Sequence, residues 1–168
     1  MPSLYEITVP VFTRALHNLD HILARAADSG VDEQTLMEAR LAPDMLAFPK
    51  QVQIACDTAK LAVTRIAQAE PRPMADEEKT LAELRERIAR TVAYLHEAAP
   101  AAFDGRETAE ITLSFPGMEM KFTGQSLVTD FTLPNFFFHV TTAYALLRMK
   151  GVQIGKMDYL AGSSRPAS

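Results

Sequence analysis

Apolar residues recur along the chain in two distinct periods, and the switch between them outlines the fold. Tyr5, Phe12, Leu16, Leu19, Leu23 and Ala26 are spaced by threes, fours and a seven, which lines one face of a helix. Ser3 and Glu6 form a capping box before it, Pro10 on its opposite face predicts a bend, and Asp28-Ser29-Gly30 ends it. Residues 32–41 give a short amphipathic stretch stopped by Pro43. A second long helix follows over 47–69, with Phe48, Val52, Ala55, Ala59, Val63 and Ile66 inward and Lys50, Gln53, Asp57, Lys60 and Thr64 outward.

Glu70-Pro71-Arg72-Pro73 breaks that pattern. Asp76 is the expected N-cap of a third helix, with Glu77 and Glu78 near its positive end and a stripe of Leu81, Leu84, Ile88, Val92 and Leu95 running to Pro100. The period then falls to two. Ile111, Leu113 and Phe115, followed by Met118, Met120 and Phe122, predict a hairpin around Pro116-Gly117. Proline fits the favoured two-residue hairpin turns poorly, so a longer loop is expected. The last helix spans about 125–150, with a kink expected at Pro134, and Gly151 stops it. The pattern amounts to a mainly all-α single domain over residues 1–160. It predicts a four-helix bundle with a small β-hairpin between helices three and four, and residues 161–168 form a small, polar tail expected to be disordered.

Composition narrows the function classes. The 168 residues carry a net charge of −4 and no Lys/Arg cluster, which argues against nucleic-acid binding. No apolar run approaches the ~20 residues of a membrane span, and the N-terminus lacks a secretory signal pattern. The one cysteine, Cys56, suits a reducing compartment, so a cytoplasmic location is expected, with Cys56 a core residue rather than a nucleophile.

Four histidines are the main chemical candidates. His17 and His21 share a helix face opposite the apolar stripe, which reads as a solvated pair. His96 falls in the last turn of helix three. His139 stands in the most apolar stretch of the chain, Asn135–Val140, where a buried imidazole needs a polar partner. It reads either as a structural histidine with one hydrogen bond or as part of a site. No G-x-S-x-G, C-x-x-C, H-E-x-x-H, Walker or G-x-G-x-x-G pattern is present.

Two blocks are longer and more specific than these single residues. Arg40-Leu41-Ala42-Pro43-Asp44-Met45 continues into Gln51-Val52-Gln53-Ile54-Ala55. Leu133-Pro134-Asn135-Phe136-Phe137-Phe138-His139-Val140-Thr141-Thr142-Ala143-Tyr144 is followed by Leu147-Arg148 and Gly151-Val152-Gln153-Ile154-Gly155-Lys156. Both resemble the signatures of a bacterial family of unknown function, which in turn looks like a branch of the DinB/YfiT-like superfamily. The resemblance implies a four-helix bundle with a long crossover. It also implies a divalent metal held by one histidine of helix two and an H-x-x-x-H pair of the last helix, in a group with some thiol-dependent transferases and isomerases. Here helix two has no histidine, and the position four after His139 is Ala143. Asp44 or Asp130 would have to substitute, so no metal or other cofactor is expected.

The functional expectation is a metal-independent bundle with a polar-lined pocket for a small molecule. Gln51 and Asn135 would bind the ligand, and His139 would act as general acid or base, oriented by Asp44 or Tyr144. A satisfied structural network joining the Pro43–Asp44 turn to the last helix explains the same residues. Two alternatives stand beside this reading: a residual metal- or thiol-dependent transferase or isomerase, and a structural homodimer. The homodimer is suggested by Phe136, Phe137 and Phe138 pointing in three directions.

Overall fold

The computed structural model describes residues 2–164. Its helices are α1 (Val9–Ala27), α2 (Glu33–Met37), α3 (Phe48–Ile66), α4 (Leu81–His96), the short α5 (Gly124–Ser126), α6 (Leu133–Met149) and α7 (Lys156–Ala161). Strands β1 (Glu110–Phe115) and β2 (Met118–Thr123) pair antiparallel between α4 and α6. The four long helices surround one core in the ring order α1, α4, α3, α6. The apolar stripes of the first three long helices predict this packing: Phe12, Leu16, Phe48, Val52, Leu84 and Leu95 are all wholly buried, and Phe136 of α6 joins them. The Phe12 and Phe136 rings lie 4.7 Å apart at the α1–α6 contact, where truncating either to alanine costs about 3–5 kcal/mol. No helix among the described residues is long and apolar enough to cross a membrane.

Several local expectations give way to physical detail. The Ser3–Glu6 capping box forms, with the Ser3 N–H donating to Glu6 at 2.7 Å, but it closes an entry turn. Pro10 falls within the first two positions of α1 and starts that helix rather than bending it, since its missing N–H has no partner to lose there. Thr80, not Asp76, caps α4: its hydroxyl accepts from the Glu83 N–H, and the Glu83 carboxylate accepts from the Thr80 N–H at 3.1 Å. Pro134 falls within the first two positions of α6 rather than in mid-helix. The backbone just before α6 widens into a π-helical stretch over Leu127–Thr132, where Pro134 has no N–H for the Asp130 carbonyl.

The hairpin closes through the two-residue loop Pro116-Gly117, with Phe115 opposite Met118. Gly117 at φ 77° supplies the left-handed second residue of the turn, which lets a proline stand in the first position, and the longer loop expected does not form. Ile111 and Leu113 reach the core, whereas Phe115 and Met118 are exposed at the tip. At the other end of the chain, Ala161 completes α7, and Gly162–Ser164 make a 3₁₀ turn packed on α1. The tail expected from 161 is therefore ordered through Ser164, and 165–168 lie outside the described residues.

Candidate functional site

The Gln51–His139 pair joins α3 to α6 across the interface between these two helices. His139 Nδ1 lies 2.7 Å from Gln51 Oε1, and Gln51 Nε2 donates to the Leu46 carbonyl at 2.8 Å. These two contacts fix the chemistry of the ring. The Leu46 carbonyl can only accept, so the amide nitrogen of Gln51 must face it and the amide oxygen must face His139. Nδ1 therefore carries the proton, and Nε2 holds the free lone pair. Burial pushes the His139 pKa below its ordinary 6.5, which keeps the ring neutral at pH 7. Nε2 has no protein partner among the described residues and reaches the surface, where His139 is 8% exposed. A neutral imidazole with its far nitrogen held by a second group is pre-set to accept a proton or hydrogen bond at Nε2.

Asn135 sits one turn before His139 on the same face, and its Nδ2 donates to Thr58 Oγ1 at 2.8 Å. It forms a second polar rung between the same two helices, parallel to the first rather than part of it. The other two expected residues lie elsewhere. Asp44 is exposed in the turn before α3. Tyr144, five residues beyond His139, faces away from it and packs edge-on against Tyr159 at 5.9 Å. Neither orients the imidazole; Gln51 does.

Sequence reasoning missed a second polar centre. Arg87 is wholly buried, with Nη1 donating to the Ala75 carbonyl and Glu78, both at 3.0 Å, Nη2 donating to Asp57 at 3.0 Å, and Nη2 in an ion pair with Asp76 at 3.0 Å. Gln53 and Lys60, expected on an outward face, are buried in the same cluster: Gln53 donates to Glu78, and Lys60 pairs with Asp57 and the Arg72 carbonyl. The coil between α3 and α4 folds over this face, so what looked solvated is roofed. Burial works against the Glu78 carboxylate, but hydrogen bonds led by Arg87 outweigh it and hold its pKa low. Cys56 lies beside the cluster, wholly buried, and burial pushes its thiol up to about 11.

The α1 face bearing the paired histidines is likewise covered. Arg14 donates to the Leu160 carbonyl and Asn18 to that of Tyr159, while His21 Nε2 meets Asp158 Oδ1 at 3.0 Å. His17 remains exposed, as does His96 at the end of α4, so only half of the expected solvated pair is open. A groove of about 1040 Å³ between α1, α4 and the C-terminal turn is lined by His17, His21 and His96. An apolar cleft of about 360 Å³ opens between α1, α6 and α7. Neither includes Asp44, Gln51, Asn135, His139 or Tyr144.

A three-histidine metal centre does not fit these residues. The side chain that α3 presents to His139 is the Gln51 amide, the next turn of α6 offers Ala143, and Asp130 is exposed and bonded to Thr129. Among the described residues, no group of three His, Cys, Asp or Glu side chains is placed to share an ion.

A family model described as a domain of unknown function, DUF1993, matches residues 4–160. The chain is 40% identical to a DinB family member protein from Shewanella denitrificans, whose crystal structure it matches with a TM-score of 0.83 over 98% of this chain and 96% of that one. No curated protein matches it. A sequence model that spans nearly all of the chain and a solved relative that superposes along almost its whole length agree, and the chain belongs to the DUF1993 family, with a DinB-like fold.

Proposed function

We propose that the chain is a metal-independent small-molecule-binding domain in which Nε2 of His139 is the recognising atom and, where chemistry occurs, the proton acceptor. One observation carries this reading: the relay from the Leu46 carbonyl through Gln51 to Nδ1 leaves a neutral ring with its basic nitrogen at the surface. A purely structural histidine needs only one hydrogen bond and gains nothing from an accessible second nitrogen. Asn135 flanks the ring on the same helix face and would offer the ligand its amide oxygen, since its nitrogen is engaged by Thr58. The test is a fragment screen with weak acids, amides, phenols and thiols, read on the ¹⁵N resonances of the His139 ring. Fragments that donate to the ring should shift Nε2 in the wild type and leave the other three histidines unchanged. A library that moves no His139 resonance contradicts the reading.

A homodimer reading has its own support. The core takes in Phe136, and Phe137 packs edge-on to it, but Phe138 is 54% exposed, as are Leu41 and Leu46 in large part. Light scattering that gives twice the monomer mass in wild type and monomer mass in Phe138→Ser supports self-association through Phe138. A wild-type monomer at micromolar concentration removes it.

A further inference from the structure

The apolar cleft between α1, α6 and α7 lies on a different face of α6 from His139 and forms a site of its own. Val11, Leu19 and Ile22 form one wall, Phe137 and Val140 the other, and Arg14 stands among them. The volume of about 360 Å³ falls at the lower end of the range for small-molecule sites, and mainly apolar walls with one fixed charge are the usual makeup of such a site. The remaining polar side chains of the cleft are engaged within the protein: Asn18 Nδ2 donates to the Tyr159 carbonyl, and the Tyr159 hydroxyl bonds Thr141. Arg14 gives one nitrogen, Nη2, to the Leu160 carbonyl, and its other N–H groups have no partner among the described residues. No acidic side chain lines the cleft to neutralise it.

We propose that this cleft binds a small apolar carboxylic acid as its anion, with the hydrocarbon or aryl body between Val11, Ala15 and Phe137 and the carboxylate on the Arg14 guanidinium. A planar guanidinium fork matches a carboxylate, and apolar walls around it exclude molecules whose charge is not concentrated at one end. A single cation balances one negative charge. On a chain of net charge −4 a dianion is disfavoured, which selects a monocarboxylate over a phosphate.

The experiment titrates octanoate and phenylacetate, with octanamide and phenylacetamide as neutral counterparts. Binding is followed on the methyl resonances of Val11, Leu19, Ile22 and Val140 in wild type, Arg14→Gln, Ala15→Leu and His139→Ala. Saturable shifts confined to those methyls are expected with the acids. Arg14→Gln and the amide replacement should each weaken binding about tenfold, Ala15→Leu should block it by filling the cleft, and His139→Ala should leave it unchanged. Because Arg14 is exposed, Arg14→Gln preserves the fold, and its circular dichroism checks this. No saturable shift up to about 10 mM acid, or equal affinity for acid and amide, overturns the proposal. Loss of binding in His139→Ala would instead reassign the ligand to the other site.

Discussion

Replacing Arg87 with methionine removes a wholly buried guanidinium while keeping most of the side chain's length. The change deletes the groups that meet the Ala75 carbonyl, Glu78, Asp57 and Asp76 and leaves three carboxylates beside an apolar stem, with only Lys60 on Asp57, Lys50 on Asp76 and the neutral Gln53 amide on Glu78. They do not suffer equally. Asp57 and Asp76 are 46% and 37% exposed, so water screens them, whereas Glu78 is 5% exposed and bears most of the cost. Breaking a buried pair in this way costs about 3–5 kcal/mol, a large share of the 5–15 kcal/mol that holds a typical domain together. At about 2–4 °C per kcal/mol for a chain of this length, the melting temperature should fall by roughly 6–20 °C. The sign of the pH dependence follows from Glu78, whose pKa is held below its ordinary 4.5 in the native protein. Its stabilising contribution is present above pH 4.5 and is lost as pH falls through the folded value. The difference between wild type and Arg87→Met should therefore shrink in acid, because the stranded carboxylate can protonate. Thermal melts of both proteins at pH 7 and pH 4 measure this. A fall of less than about 3 °C at pH 7, or a difference that does not narrow at pH 4, refutes the account of Arg87 as the keystone of the cluster.

Three further outcomes are expected. Urea titrations should show wild-type stability dropping below pH 6.5 more steeply than that of His139→Gln, because a depressed histidine pKa gives stability present above 6.5 and lost as pH falls through the folded value; parallel curves contradict this. Cys56, buried with its thiol at about 11, should resist disulfide reagents in the native protein and react fully only in denaturant, and stoichiometric reaction without denaturant contradicts its burial. Gly162→Ala should loosen the C-terminal turn by about 1–2 kcal/mol from its φ of 54° alone, and more because the added Cβ would meet Asn18 Oδ1 at 2.6 Å. Amide exchange at Tyr159–Ser164 should quicken, and unchanged exchange contradicts the packing described.

What the sequence made legible follows from which forces act locally. Helix stripes are periodic because burial is, so Phe12, Val52 and Leu84 declared their faces in advance. His139 stood out for the same reason, being a polar ring where apolar packing demands a partner, and Gln51 was among the polar residues named with it. Asp44 and Tyr144 were grouped with them by type, and type does not report direction around a helix. The Arg87 cluster was hidden because Gln53, Asp57 and Lys60 follow one another at four- and three-residue spacing, the pattern of a solvated stripe. Only the path of the coil over residues 67–80 turns that stripe inward. The covering of His21 by Asp158 was hidden likewise, since a contact across 137 positions leaves no local trace.

The most direct test of the central claim is the protonation state of the His139 ring, measured by long-range ¹H–¹⁵N correlation at pH 7 in wild type and Gln51→Leu. The relay predicts a protonated Nδ1 and an unprotonated Nε2 in wild type, with that preference lost when Gln51 is replaced. A wild-type ring protonated at Nε2, or an imidazolium at pH 7, would contradict the assignment of Nε2 as the free base and with it the proposed site.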